Sequence, residues 1–218
     1  MQQRHTFDIA LRELKMKLLH MGGDVQEALR KSIDALKALD QSAARQVVEN
    51  DRKINREEHE IEDLCIRLIA TQQPVATDLR KIVAGMRIST DLERMGDLAV
   101  DVAKSVLRLE GQTLIKPLVD IPRMSLIIDQ MISDALNAYV ESSTELANKL
   151  APADDQVDKI YRGIVEELFT LTKADPTTVT QAMTLAMCGR ALERLGDHAT
   201  NIGESVIYIV TGDRSDLN

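Results

Sequence analysis

Tryptophan is absent from this chain of 218 residues, and aromatic side chains make up only 2% of it. Leu, Ile, Val, Ala and Met supply most of the 44% hydrophobic fraction, which suits helix-on-helix packing rather than a β-rich core. Proline and glycine are few, at five and ten residues, and no run alternates in the manner of a strand. Cysteine is nearly absent. Cys65 and Cys188 lie far apart inside helical patterns with no Cys-x-x-Cys, so they read as reduced, packed thiols of a cytosolic protein. The N-terminal stretch MQQRHTFDIALREL lacks an apolar signal core, and no apolar run is long enough to span a bilayer, so no direct membrane insertion is expected. Positive charge is in deficit: the net charge is −8, which makes nucleic acid a poor partner and favours cations or basic protein surfaces. A glycine-rich phosphate loop, a G-x-S-x-G elbow and a nucleophile paired with a base are also missing. None of the four histidines (His5, His20, His59, His198) follows a glutamate three positions earlier, which excludes the Glu-x-x-His pair of di-iron bundles. No catalytic constellation is present.

What is present is a duplication. LERMGDLAVDVAKSV, Leu92 to Val106, returns as LERLGDHATNIGESV, Leu192 to Val206, one hundred residues later and identical at eight of fifteen positions. One supersecondary unit is therefore used twice. In the first copy Leu92, Met95, Ala99, Val102, Val106 and Leu109 recur at steps of three and four, as do Leu192, Leu195, Ala199, Ile202, Val206 and Ile209 in the second. That is a helix with a narrow coiled-coil-like seam.

The copied helix also carries matched polar residues: Glu93, Asp97 and Asp101 against Glu193, Asp197 and Asn201. At roughly 100° per residue the carboxylates sit opposite the seam, which predicts a ridge on the outer surface of the bundle. Like charges one turn apart repel by roughly 0.2–0.5 kcal/mol per pair, relieved here by Arg94, Arg190 and Lys104. A solvated face would explain one such pair, but duplicated surface acids ask for a further reason. Asp51 and Asn55 in the first half match Asp154 and Asp158 in the second, again four apart on an apolar-periodic helix. Two acid pairs facing each other in each half would make an oxygen-rich site able to bridge several divalent or trivalent cations, such as Fe, Mn, Zn or Mg. Gly96 and Gly196 stand beside the acids and read either as close helix packing or as room for a cation.

The periodicity predicts six helices: about 6–39, 42–70, 77–110, 123–149, 154–173 and 177–210. TQQP closes the second, Gly111 stops the third, LAPADD separates the fourth from the fifth with Asp154 or Asp155 as N-cap, and Gly212 stops the sixth. GQTLIKPLVDIP is the linker, which divides the chain into residues 1–113 and 114–218. The predicted fold class is all-α, two tandem, pseudo-symmetric up-down-up three-helix bundles.

QQPVATDLRKIVAGMRISTDLERMGDLAVDVAK, Gln72 to Lys104, and ALERLGDHATNIGES, Ala191 to Ser205, resemble the two signatures of the PhoU family, and the resemblance covers nearly the whole chain. It implies a cytoplasmic, non-enzymatic accessory protein of the high-affinity phosphate transporter, associated peripherally with its membrane partners, that restrains the phosphate-starvation response. Implied partners are the ATPase subunit of the phosphate ABC transporter, the sensor histidine kinase of the phosphate two-component system, and a second copy as homodimer. It also implies multinuclear metal clusters on Glu/Asp-x-x-x-Asp motifs, here Glu93, Asp97, Glu193 and Asp197, with Asp51, Asp154 and Asp158 on neighbouring helices. Asn55, Leu98, Asp101 and Lys104 depart from the family's frequent residues, which weakens the first repeat's site relative to the second. Against this regulatory reading stand a metal-dependent enzyme built on the carboxylate clusters and a metal-free helical scaffold.

Overall fold

The computed structural model describes residues 2–213 and 216–217, so the outer limits of the two expected halves, Met1 and Asn218, lie outside the described residues. All regular structure among the described residues is helical: α1 (Gln2–Ala38), α2 (Gln41–Asn50), α3 (Arg52–Gln72), α4 (Ala76–Arg108), α5 (Asp120–Glu141), α6 (Thr144–Asn148), α7 (Leu150–Ala174), a 3-10 turn (Pro176–Thr178) and α8 (Val179–Thr211). Each half is an up-down-up set of three rods, α1, α2–α3 and α4, then α5, α7 and α8.

The seam residues of both copies are all buried, from Leu92 to Leu109 and from Leu192 to Ile209. Burying each such aliphatic side chain is worth roughly 1.5–3 kcal/mol. The seams bring α4 and α8 together as the central pair, the broadest helix contact in the molecule. They run antiparallel: Met86 to Asp91 lies beside Asn201 to Tyr208, and Leu98 to Arg108 beside Met187 to Arg194. A second join links α1 to α5, where Gln26 donates to Asp129 O at 3.0 Å and Ser133 Oγ at 2.9 Å, and Lys15 donates to Val140 O at 2.8 Å. One apolar core runs through both halves.

Three boundaries differ from the pattern read in the sequence. The second rod breaks at Asp51, in the polar stretch ENDRK, where Asn and Asp compete for helix hydrogen bonds and no apolar residue anchors the turn. Asp40 caps α2 by accepting from the Ser42 and Ala43 amides at 2.9 and 3.0 Å. The fourth rod ends at Glu141, where Ser142 turns left-handed (φ 54°), and Ser143 caps the single-turn α6. LAPADD is not a break: α7 starts at Leu150 and tolerates Pro152 because the first turn has no intrahelical use for its missing N–H. Asp154 is therefore inside α7 rather than its N-cap.

Candidate metal centres

α4 packs against α1, α3 and α8, so it has neighbours on three sides and not only along its seam. The acids opposite the seam consequently face α3, and their copies on α8 face α7. This corrects the expectation of a fully exposed outer ridge. A wheel centred on the seam locates one neighbour; the third helix covers part of the remaining arc. Glu193 is withdrawn, with 13% of its side chain exposed, and Glu93 is similar. Asp97 is half-exposed, and Asp101, at 59%, alone matches the exposed ridge.

The glycines show how close the helices come. A Cβ at Gly96 would lie 3.0 Å from Ile54 Cδ1, whereas a Cβ at Gly196 would lie 2.6 Å from Asp154 Oδ1. The first glycine admits a neighbouring core side chain and the second admits a carboxylate. Close helix packing thus accounts for the glycine in both halves, against an apolar side chain in the first and a carboxylate in the second.

In the second half Asp154 and Asp158 of α7 meet Glu193 and Asp197 of α8. Asp154 is only 8% exposed. Burial pushes its carboxyl up to about 7, helped by the charges of Asp197, Asp158 and Glu193. Burial also raises Glu193 and Asp197, with Asp197 and Asp158 adding to Glu193, while Arg190 opposes the rise on both. Arg190 pairs with Glu193. In the first half Asp51 and Asn55 approach Glu93 and Asp97. Burial and then Asp97 raise Asp51, with Lys104 opposing; burial and then Asp97 raise Glu93, with Arg94 opposing. Arg94 holds Glu93 at 3.4 Å and Asp97 at 3.2 Å.

Four oxygens in these two groups are buried without a hydrogen-bond partner: Asp51 Oδ1, Asn55 Oδ1, Asp154 Oδ1 and Glu193 Oε2. A buried carboxylate with no partner costs several kcal/mol unless a proton or a cation compensates it. The donor set is all oxygen, the chemistry of hard divalent and trivalent cations. The donor chemistry of both groups therefore suits a hard cation, while their oxygens are more widely spread than the ligand atoms of the His20, Asp24 and Glu57 group, which all lie within 4.8 Å of one another.

Two of the predicted ligands do not join. Asp101 pairs with Lys104 at 3.5 Å on the surface. Asn201 faces α4 instead, donating to Asp91 Oδ1 at 3.2 Å, beside a His198 Nδ1 contact to the same oxygen at 2.9 Å. A further group escaped the sequence pattern: His20 and Asp24 of α1 with Glu57 of α3. Lys53 already sits 2.6 Å from Asp24. The one-turn spacing of His20 and Asp24 was its only visible signal.

A PhoU domain model matches the chain twice, over residues 18–106 and 121–206. The chain belongs to the PhoU family. Its relatives include the phosphate-specific transport system accessory protein PhoU homolog of Clostridium acetobutylicum, 40% identical over 216 residues and covering 99% of both chains. The Escherichia coli (strain K12) PhoU is 32% identical over 206 residues, 94% of this chain and 86% of that one. The crystal structure of PhoU from Pseudomonas aeruginosa superposes with a TM-score of 0.89 at 36% identity, over 95% of this chain and all of that one. The phosphate transport system regulatory protein PhoU from Streptococcus pneumoniae gives 0.90 at 31% identity, over 96% and 99%. The two carboxylate pockets thus sit one in each PhoU repeat. The buried free thiols, Cys65 and Cys188, lie apart from them, raised by burial to about 12 and about 11.

Proposed function

We propose that this PhoU-family chain is a non-enzymatic accessory regulator of phosphate transport that represses the phosphate-starvation response. The observation carrying the proposal is the likeness along nearly the full length to proteins named as accessory to the phosphate-specific transport system. In this reading the chain links the ATPase subunit of the transporter to the sensor histidine kinase through its helix surfaces. No helix among the described residues is long and apolar enough to cross a membrane, in keeping with peripheral recruitment to such partners. Deleting the gene and measuring a phosphate-starvation reporter at high phosphate tests it. Constitutive expression is expected; normal repression would overturn the regulatory role.

The two pockets are proposed as cation sites. Asp154, Asp158, Glu193 and Asp197 would hold metal in the second repeat, and Asp51, Asn55, Glu93 and Asp97 in the first. Bound cations would offset the crowded carboxylates and tie α7 to α8 and α3 to α4, a structural or sensing role. The support is the set of buried, unpartnered oxygens. Each repeat offers several carboxylates, enough for more than one ion. Metal analysis of protein purified without chelator tests this. Protein free of Fe, Mn, Zn and Mg that also shows no thermal shift on adding them would exclude it.

A further inference from the structure

The duplication places two grooves along the α4–α8 pair, related by the hundred-residue offset, and they carry opposite charge. One, about 530 Å³, is lined by Arg87 together with Asp91, Glu204 and Asp216. The other, about 220 Å³, is lined by Arg108, Arg190 and Arg194. Its single acid, Asp101, is paired with Lys104. Tyr208 and Thr90 line the first groove at the positions matching Arg108 and Arg190, and Arg94 matches Arg194 in sequence, so the fold does not require two of the three arginines. Arg190 pairs with Glu193, while Arg108 and Arg194 make no ion pair among the described residues. Two guanidinium groups without an ion pair in one groove stand out in a chain of net charge −8.

The basic groove continues into an apolar stripe. Met187 lines it, with Arg108 Nη1 lying 3.9 Å from its sulfur. Met183 and Val179 follow one and two turns back on the same face of α8. Met187 is 54% exposed and Met183 63%, and Val179 is exposed as well. Open methionines cost hydration free energy and are adaptable contacts; methionine and arginine are both enriched in protein interfaces. From Val179 to Arg194 the face measures ~22 Å at ~1.5 Å per residue, the length of about four helical turns. A small oxyanion would use the guanidinium groups and leave the methionines idle. A basic protein is repelled. An acidic amphipathic helix uses both features.

We propose that this groove, between the C-terminal part of α4 and the N-terminal half of α8, docks an acidic amphipathic helix of another protein. Its apolar face covers Met183 and Met187, and its carboxylates pair with Arg108 and Arg194. The proposal goes beyond the regulatory reading and does not depend on it, since it names a surface and a chemistry rather than a pathway.

The test uses the full chain in chelator, near physiological salt, with fluorescence anisotropy of a labelled Glu/Leu amphipathic peptide of ~18 residues, about five turns. The wild-type chain is expected to bind it. The double variant Arg108→Glu/Arg194→Glu should weaken binding at least about 10-fold, and Met183→Ala/Met187→Ala several-fold, as for truncated anchor residues. Arg87→Glu in the twin groove should leave it unchanged. Circular dichroism checks that each variant keeps its helices, as expected for exposed positions. Four results would overturn the proposal: equal affinity for wild type and the arginine variant, equal affinity for a Lys/Leu peptide, loss of peptide binding to inorganic phosphate but not to equal ionic strength of chloride, or a dimer by light scattering that the arginine variant abolishes, which would make a second copy the occupant.

Discussion

The two carboxylate pockets descend from one sequence and have diverged in charge. The second holds four carboxylates, Asp154, Asp158, Glu193 and Asp197, and its most buried acid has been pushed to about 7. The first replaces one carboxylate with Asn55, and its Arg94 contacts both Glu93 and Asp97. Lys104 further offsets Asp51, where the second repeat has Glu204. The same backbone therefore supports a strongly frustrated pocket and a partly neutralised one. If cations bind, the second pocket gains more by binding them, because more uncompensated charge is there to relieve.

The largest expected effect separates the pockets from the seam beneath them. Leu195 is fully buried between α8 and its neighbours, and Asp197, two residues on, points into the pocket. Leu195→Asp buries an unpaired charge, at a cost of several kcal/mol. It should lose cooperative unfolding in denaturant melts. Asp197→Lys should keep its fold and lose metal affinity. If Asp197→Lys proves the less stable by circular dichroism, the arrangement of acids around α8 is wrong.

Next in size is the pH dependence of metal-free protein. Asp154 titrates near 7 folded against an ordinary 3.8. The folded state thus holds a proton that the unfolded state releases, and stability falls as pH rises from about 4 to 7. The limiting loss is a few kcal/mol at ~1.36 kcal/mol per pH unit, shared among the acids of the pocket, which titrate together. Asp154→Asn should flatten this slope in chelator, measured by urea midpoints across pH, and Asp51→Asn should flatten it less. Metal should abolish the slope in the wild type. A melt whose midpoint rises through that window would mean Asp154 is ionised and compensated by something else.

Much of this was legible in the sequence, and the parts that were not share a cause. Leu92 to Leu109 and their copies could be placed because a seam needs only local periodicity. The acids could be paired because Asp51 and Asp154, or Glu93 and Glu193, stand at matched places in a repeat. Their burial could not be read, because it depends on α3 and α7 closing over α4 and α8 from tens of residues away. Asp154 looked like an N-cap for the same reason. Pro152 and two adjacent aspartates resemble a helix start, and only the distant Gly196 makes room for a carboxylate within the helix. Asn201 was grouped by its copy Asp101, yet tertiary packing turns it towards Asp91. Local patterns identified the elements; contacts between distant segments decided which side chains meet.

An exchange across the repeats measures how much one carboxylate matters. Asp158→Asn gives the second pocket the composition of the first, and Asn55→Asp does the reverse. Losing one anionic oxygen from a hard-cation site should weaken it by about 10-fold, near 1.4 kcal/mol. Calorimetric titration with Mn²⁺ should show the tighter class of sites lost in Asp158→Asn and the weaker class strengthened in Asn55→Asp. Unchanged isotherms for both would remove these positions from the coordination sphere.

The smallest effect is also the most discriminating, because it changes no charge. Glycine inside a helix costs roughly 1 kcal/mol against alanine, so each Gly→Ala starts with that gain. At position 96 the new methyl group meets Ile54, 3.0 Å from its Cδ1 and 3.2 Å from its Cγ2, and a small shift of that side chain absorbs the contact. Gain and strain then nearly cancel, leaving Gly96→Ala within about 0.5 kcal/mol of wild type. At position 196 the methyl group comes within 2.6 Å of Asp154 Oδ1, so the carboxylate must swing away from α8. A few tenths of a kcal/mol of net stability is a poor readout of that. Metal affinity and the titration of Asp154 are better ones. Gly196→Ala should weaken Mn²⁺ binding at the second pocket and move Asp154 towards its ordinary value, which carbon-detected NMR of the labelled carboxyl reads directly. Gly96→Ala should leave the first pocket's affinity unchanged, because its methyl group meets a core side chain rather than a ligand. If both variants weaken their pockets equally, the glycines serve helix spacing alone, and the difference between the repeats lies only in their charges.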